Sequence, residues 1–396
     1  MLSHVCSDAY DDFHALQPQR PFWKVKIMND SLSKILSKHD MNGTNLKNRL
    51  AVAPMTRITA TADGLATQAM RDYYRRFAKG GFGLVITEGI YTDKAFSQGY
   101  RNQPGIADDA QAAAWKQVTQ EVQQHGALIF AQLMHAGALS QGNAYRAHTI
   151  APSPVQPKGK QMTFYYGTGE YATPQEISEQ QIAEVIDSFV QSALRAVRAG
   201  GFNGIEIHGA NGYLLDQFLT AHTNLRIDRW GGDVHGRVRL LEEIVKAVKA
   251  AVDDLVPVGI RISQGKVNDF TSKWPGREAD AEVIFRTLAR AGADFIHVTE
   301  FEAWKPAFEN GHDSLIALAR RFAPGVTIIA NGSLHSAERS GEALDLGADV
   351  VALGRGALAN PDLPQLFERR HAPRDFDGSI LGPIADIKDS ELAFAN

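Results

Sequence analysis

The chain has 396 residues, 44% of them hydrophobic and 22% charged, and 41 Lys plus Arg against 45 Asp plus Glu give a formal charge of −4. That composition is globular, and the charge balance offers no general attraction for nucleic acid or an anionic membrane. The single cysteine, Cys6, excludes an intrachain disulfide, an iron–sulfur cluster and a multi-cysteine zinc site, and no apolar run reaches the roughly 18 residues of a membrane span. Residues 1–30 mix Asp8, Asp11, Asp12, Lys24 and Lys26 with scattered apolar positions. They lack the apolar core of a secretion signal, so they read as an N-terminal extension of a cytoplasmic protein.

Short apolar runs then alternate with longer amphipathic stretches. The expected strands are Leu50–Pro54, Leu84–Glu88, Leu128–Gln132, Gly204–His208, Val256–Ile262, Phe295–Thr299, Val326–Ala330 and Val350–Leu353. Between them lie helical patterns such as Gln68–Ala78, Asp109–Gln124, Glu179–Ala199 and Arg237–Ala251. Continuous apolar strands separated by amphipathic helices imply parallel strands with helices packed outside. Eight of them point to an α/β fold, a closed (β/α)8 TIM barrel over residues 31–370, followed by a tail at 371–396. An open doubly wound sheet is the rival. Glycines at Gly200-Gly201, Gly292 and Gly347 stand where helices end before the next strand. One connection, the excursion after strand 3 between Gln132 and Glu179, is much longer than the rest. It carries Tyr145, Phe164, Tyr165, Tyr166 and Tyr171 and is expected to sit over the C-terminal mouth.

In such a barrel the site gathers at the C-terminal strand ends. Strand 1 ends in Ala53-Pro54-Met55-Thr56-Arg57, strand 2 in Thr87-Glu88-Gly89 and strand 3 in Gln132-Leu133-Met134-His135. Alternation turns Glu206 and His208 to one face of strand 4, and Arg261 shares the inward face of strand 5 with Gly259. A buried arginine needs an anionic ligand or an internal partner, for which Glu206 is the candidate. Gly332, Ser333, Gly354 and Arg355 close strands 7 and 8, where this fold binds phosphate. His208 and Asn211 are three apart and Tyr213 follows. If the chain turns into a helix there, two neutral donors and a phenol come together. Such a set suits polarising a carbonyl or nitro oxygen and delivering one proton. A satisfied core histidine with a packing tyrosine is the alternative. A metal held by His135, His208 and His222 lacks any tight ligand spacing, so no metal is expected.

These stretches, with Asn48-Arg49-Leu50, Gln132 to Gly137, His208 to Phe218, Asn224 to Gly232 and Gly354 to Pro361, resemble the old yellow enzyme family of FMN-dependent oxidoreductases. The resemblance implies FMN across the barrel mouth, with its phosphate at Gly332, Ser333, Gly354 and Arg355. Ala53, Pro54, Met55 and Thr56 would run along the ring system, with Glu88 at its edge. Gln132 would meet the pyrimidine edge, and Arg261 would lie beside N1 and O2, the anionic partner that its burial demands. His208 and Asn211 would bind the substrate oxygen, and Tyr213 would give the proton. The implied partners are an NADPH or NADH hydride donor and a small-molecule activated alkene. An enzyme acting mainly on nitroesters or quinones is the alternative, and a phosphate-binding lyase or isomerase without flavin is the rival from another class.

Departures from the family pattern are expected to tune this site. Thr56 stands where one bacterial branch has cysteine, Asn211 where others have a second histidine, and Met134 where some have an aromatic. Trp230 and Gly236 replace the usual Tyr and Asn in a loop read as structural. Phe270, Trp274, Phe301, Trp304 and Phe308 are read as substrate walls or a subunit contact.

Overall fold

The computed structural model describes residues 22–393, so Cys6 and most of the expected extension lie outside the described residues. Eight parallel strands follow chain order around a closed barrel. They are β1 (Leu50–Val52), β2 (Leu84–Ile86), β3 (Leu128–Met134), β4 (Gly204–Asn211), β5 (Val258–Lys266), β6 (Phe295–Thr299), β7 (Thr327–Asn331) and β8 (Val350–Leu353). Each pairs with its successor, and β8 returns to β1 through Ala352 opposite Ala51.

Most outer helices start on side chains that accept otherwise unpaired amides. Asp108 takes the N–H of Gln111, Asp233 those of His235 and Gly236, and Ser178 forms a reciprocal capping box with Gln181. Helix ends fall as expected at Gly201, Gly292 and Gly347, all with positive φ. One expected boundary falls inside a helix: Phe22–Ile35 runs through residue 30. It packs Leu32 and Ile35 into the core, and Lys34 pairs with Asp345 of the helix Ala337–Asp345.

Alternation along the strands creates two cores. Residues such as Ile205, Ile207, Ile260 and Ile262 face the helices. Leu84, Phe130, Phe295, Ile329 and Val350 fill the barrel interior. An antiparallel hairpin, His39–Met41 with Thr44–Leu46, closes its N-terminal end by inserting Met41 and Leu46. Each such large side chain contributes roughly 1.5–3 kcal/mol when removed from water. The apolar plug leaves the C-terminal half for inward polar groups. There the excursion after β3, with a short parallel pair Ile150–Ala151 and Gln175–Glu176, lays Met162, Phe164 and Tyr165 over the mouth.

Candidate active site

A cavity of about 1070 Å³ opens at the C-terminal end of the barrel. Ala53, Pro54, Met55, Thr56, Gln132, His208, Asn211, Tyr213, Arg261, Gly332, Ser333, Gly354 and Arg355 all line it. Glu88 does not. Its buried carboxylate turns behind the loop that follows β1 and accepts from the N–H groups of Arg57 (2.9 Å) and Ile58 (3.1 Å). Burial pushes it up to about 7 against the pull of those amides and of the Arg57 guanidinium.

The expected helical turn at His208 does not form. β4 continues to Asn211, and the next helix starts at Leu214. Residues three apart on a straight strand face opposite ways. A left-handed φ of +65° at Asn211 breaks that alternation. The Asn211 N–H donates to Ser263 Oγ at 2.8 Å. Its Oδ1 accepts from Arg261 Nη1 at 3.0 Å, which leaves the Nδ2 amide as the donor.

His208 Nδ1 accepts from the Ala210 N–H at 3.4 Å, so the proton sits on Nε2. Burial, then the Arg261 and His297 charges, hold His208 well below its ordinary value, and the ring is a neutral donor. Its centroid lies 4.9 Å from that of Tyr213. Tyr213 meets a phenol that sequence reasoning missed: Tyr100 Oη is 2.5 Å from Tyr213 Oη, with both rings buried. Burial raises the Tyr213 hydroxyl, and the bond from Tyr100 and the charge of Arg261 pull it part of the way back.

Arg261 forms no ion pair with Glu206. Glu206 instead binds Gln132 Nε2 and His297 Nδ1, each at 2.7 Å. Arg261 donates only to neutral oxygens of Asn211, Thr299 and Asn331, and its buried Nε has no partner. A buried cation without a carboxylate, aimed into a cavity, calls for an anionic or strongly accepting ligand. At the strand ends, Gly332 has φ +141°, and a Cβ there would lie 2.0 Å from the Glu300 carbonyl oxygen. Only glycine allows that approach. Ser333 Oγ is tied to the Phe301 carbonyl, while Arg355 stands exposed at the helix Arg355–Ala359. A flavin fits these residues: its phosphate would meet the glycines and Arg355, and the negative charge of its reduced ring system would answer Arg261.

The three histidines considered for a metal do not converge. His135 is buried with Nδ1 on the Gly137 N–H, and His222 lines a separate small pocket with Asp216 and Lys266. No group of three potential metal ligands occurs among the described residues. No described helix is long and apolar enough to cross a membrane. Of the aromatic candidates, Phe270 and Phe301 line the mouth, whereas Trp274 packs on Phe285 and Phe308.

The chain matches the model of the NADH:flavin oxidoreductase / NADH oxidase family over residues 39–372. It is 35% identical over 341 residues to chanoclavine-I aldehyde reductase of Penicillium roqueforti, covering 84% of this chain and 88% of that one. It is 32% identical over 329 residues, 81% of its length, to NADH oxidase of Thermoanaerobacter brockii, and that match spans 48% of the relative. The solved old yellow enzyme homologue of Zymomonas mobilis aligns with a TM-score of 0.81 at 29% identity, covering 91% of this chain and 98% of the other.

Proposed function

The chain belongs to the NADH:flavin oxidoreductase / NADH oxidase family, the old yellow enzyme group of NAD(P)H-dependent FMN oxidoreductases, and from this we propose that it reduces the activated C=C bond of α,β-unsaturated carbonyl or nitro compounds. When bound, FMN would supply the hydride chemistry that NAD(P)H feeds and that the substrate Cβ requires. Pro54, Met55, Thr56 and Gln132 would hold the ring system, Arg261 its anionic edge, and Gly332, Ser333, Gly354 and Arg355 the phosphate. His208 Nε2 and Asn211 Nδ2 bind the substrate oxygen. Their hydrogen bonds strengthen as enolate charge develops, so they act chiefly on the transition state. Tyr213 then delivers its proton to Cα, completing the addition of one hydride and one proton. Tyr100 donates to the resulting phenolate and holds it until solvent restores the proton.

The observation that carries this reading is the convergence, in one cavity, of a neutral imidazole, an oriented amide and a phenol with a buried guanidinium that has no carboxylate partner. Purified protein loaded with FMN and reduced anaerobically with NAD(P)H is mixed with 2-cyclohexenone. Rapid return of oxidised-flavin absorbance with a saturated ketone product is expected. Protein that takes up no flavin overturns the reading. So does reoxidation by quinones or nitroesters with no turnover of any enone.

A further inference from the structure

Beyond the last barrel helix the chain folds back across the mouth. Arg374, Phe376 and Leu381 line the cavity. Farther on, the Ala385 N–H donates to the Phe164 carbonyl of the excursion, and the Ile387 N–H to Thr59 Oγ1, both at 2.9 Å. The end of this segment is fastened at Arg57, the residue after Thr56. Arg57 is fully buried. Its Nη1 and Nη2 grip the Glu391 carboxylate at 2.6 and 2.5 Å, while Nε and Nη2 reach the carbonyls of Ala385 (3.0 Å) and Asp386 (2.6 Å). Arg76, on the helix Gln68–Lys79, adds a second guanidinium 2.9 Å from Glu391 Oε1.

One carboxylate thus compensates two buried cations. A buried triad of this kind adds little net stability compared with an apolar cluster, but removing its anion is costly because the cations are left unpaired. Its effect is therefore to fix one seat for the segment. The same short loop is held from behind by Glu88 through the amides of Arg57 and Ile58. From above, the Tyr165 hydroxyl donates to the Thr56 carbonyl at 3.2 Å. The backbone that presents Thr56 to the cavity is consequently defined by both the barrel and the C-terminal segment.

We propose that residues 371–393 form a strap whose docking is coupled to flavin binding, with Glu391 as a positioning residue that acts through Arg57 on the Thr56 loop. The proposal rests on the FMN reading of the site. Coupling between two binding events is reciprocal: FMN tightens the strap, and a loosened strap weakens FMN.

The test is hydrogen exchange on the full chain with and without FMN, beside titration of the apoprotein by flavin fluorescence. In the wild type, peptides from 371–393 are expected to exchange about tenfold more slowly with FMN bound. Glu391→Gln is expected to abolish that difference and to raise the FMN Kd about tenfold, a shift of roughly 1.4 kcal/mol. Thr59→Val removes the Ile387 anchor and the bond from the Thr59 hydroxyl to the Arg57 carbonyl without unpairing a charge, and a smaller shift in the same direction is expected, with the loss of strap protection as the reading that belongs to the strap. It decides the matter if Glu391→Gln does not fold. Wild-type protein that binds no FMN defeats the site assignment. Wild-type protein that binds FMN with unchanged strap exchange defeats the strap alone, as does FMN affinity within twofold of wild type in the folded variants.

Discussion

The hydroxyls of Tyr100 and Tyr213 lie 2.5 Å apart with both rings buried, so the phenol proposed as the proton donor is itself solvated by a second phenol. Tyr213→Phe is expected to slow the oxidative half-reaction with enones by about 10²–10⁴ and to leave flavin reduction by NAD(P)H nearly intact. Tyr100→Phe keeps the donor but removes the bond that lowers its pKa. Its enone rate should fall by a smaller factor, and the alkaline limb of the profile should move up. Stopped-flow on the two half-reactions separates these outcomes. Equal losses in both half-reactions would remove Tyr213 from proton delivery.

The substrate oxygen is assigned to two neutral donors, and phenolates imitate the enolate that those donors would stabilise. Alanine at either His208 or Asn211 should weaken binding of a para-substituted phenol about 10–100-fold, the range for a hydrogen bond to a charged group. Because burial and the nearby Arg261 and His297 charges keep His208 neutral, phenol affinity should show no histidine titration between about pH 6 and 8. Spectral titration of the phenol complex measures both effects. A protonation step near pH 6.5 that disappears in His208→Ala would mean that the ring binds as a cation.

Gly332 tests the phosphate end. Alanine there must adopt φ near +141° and push against the Glu300 carbonyl. Strain of this kind costs on the order of 1–3 kcal/mol. FMN affinity should drop at least tenfold and the apoprotein Tm should fall. Unchanged flavin content would place the phosphate elsewhere.

The barrel was legible because its signals are local. Eight apolar runs and glycine-terminated helices need no tertiary knowledge, and alternation alone turned His208 and Arg261 inward. What escaped depends on distant contacts. Tyr100 precedes Tyr213 by 113 residues, and no pattern in Gln98-Gly99-Tyr100 marks it. Glu391 meets Arg57 across 334 residues. The turn at Asn211 defeated a helical reading because one left-handed residue does what a helix was expected to do. The hairpin at His39–Leu46 escaped because its strands are only three residues each. The family resemblance puts Glu88 at the flavin edge, yet paired amides behind the loop capture its carboxylate.

That capture has a measurable pH signature. Glu88 is buried, with its pKa raised from 4.5 to about 7. Its own N–H donates to Tyr74 Oη at 2.9 Å, and the Arg57 guanidinium is the charged group nearest in effect. Between those two values the folded chain holds a proton that the unfolded chain has released. Stability from this residue is therefore fully present below about pH 4.5, falls as pH rises, and levels off above pH 7, with a total loss of about 3 kcal/mol. Glu88→Gln carries no titrating proton and keeps an oxygen for the Arg57 and Ile58 amides. Chemical denaturation of wild type and variant at pH 5, 6, 7 and 8 should show the variant gaining on the wild type up to pH 7, with little further gain by pH 8. A difference that stays constant across the series would mean that Glu88 is already ionised at pH 5 and that the amides of its loop outweigh its burial.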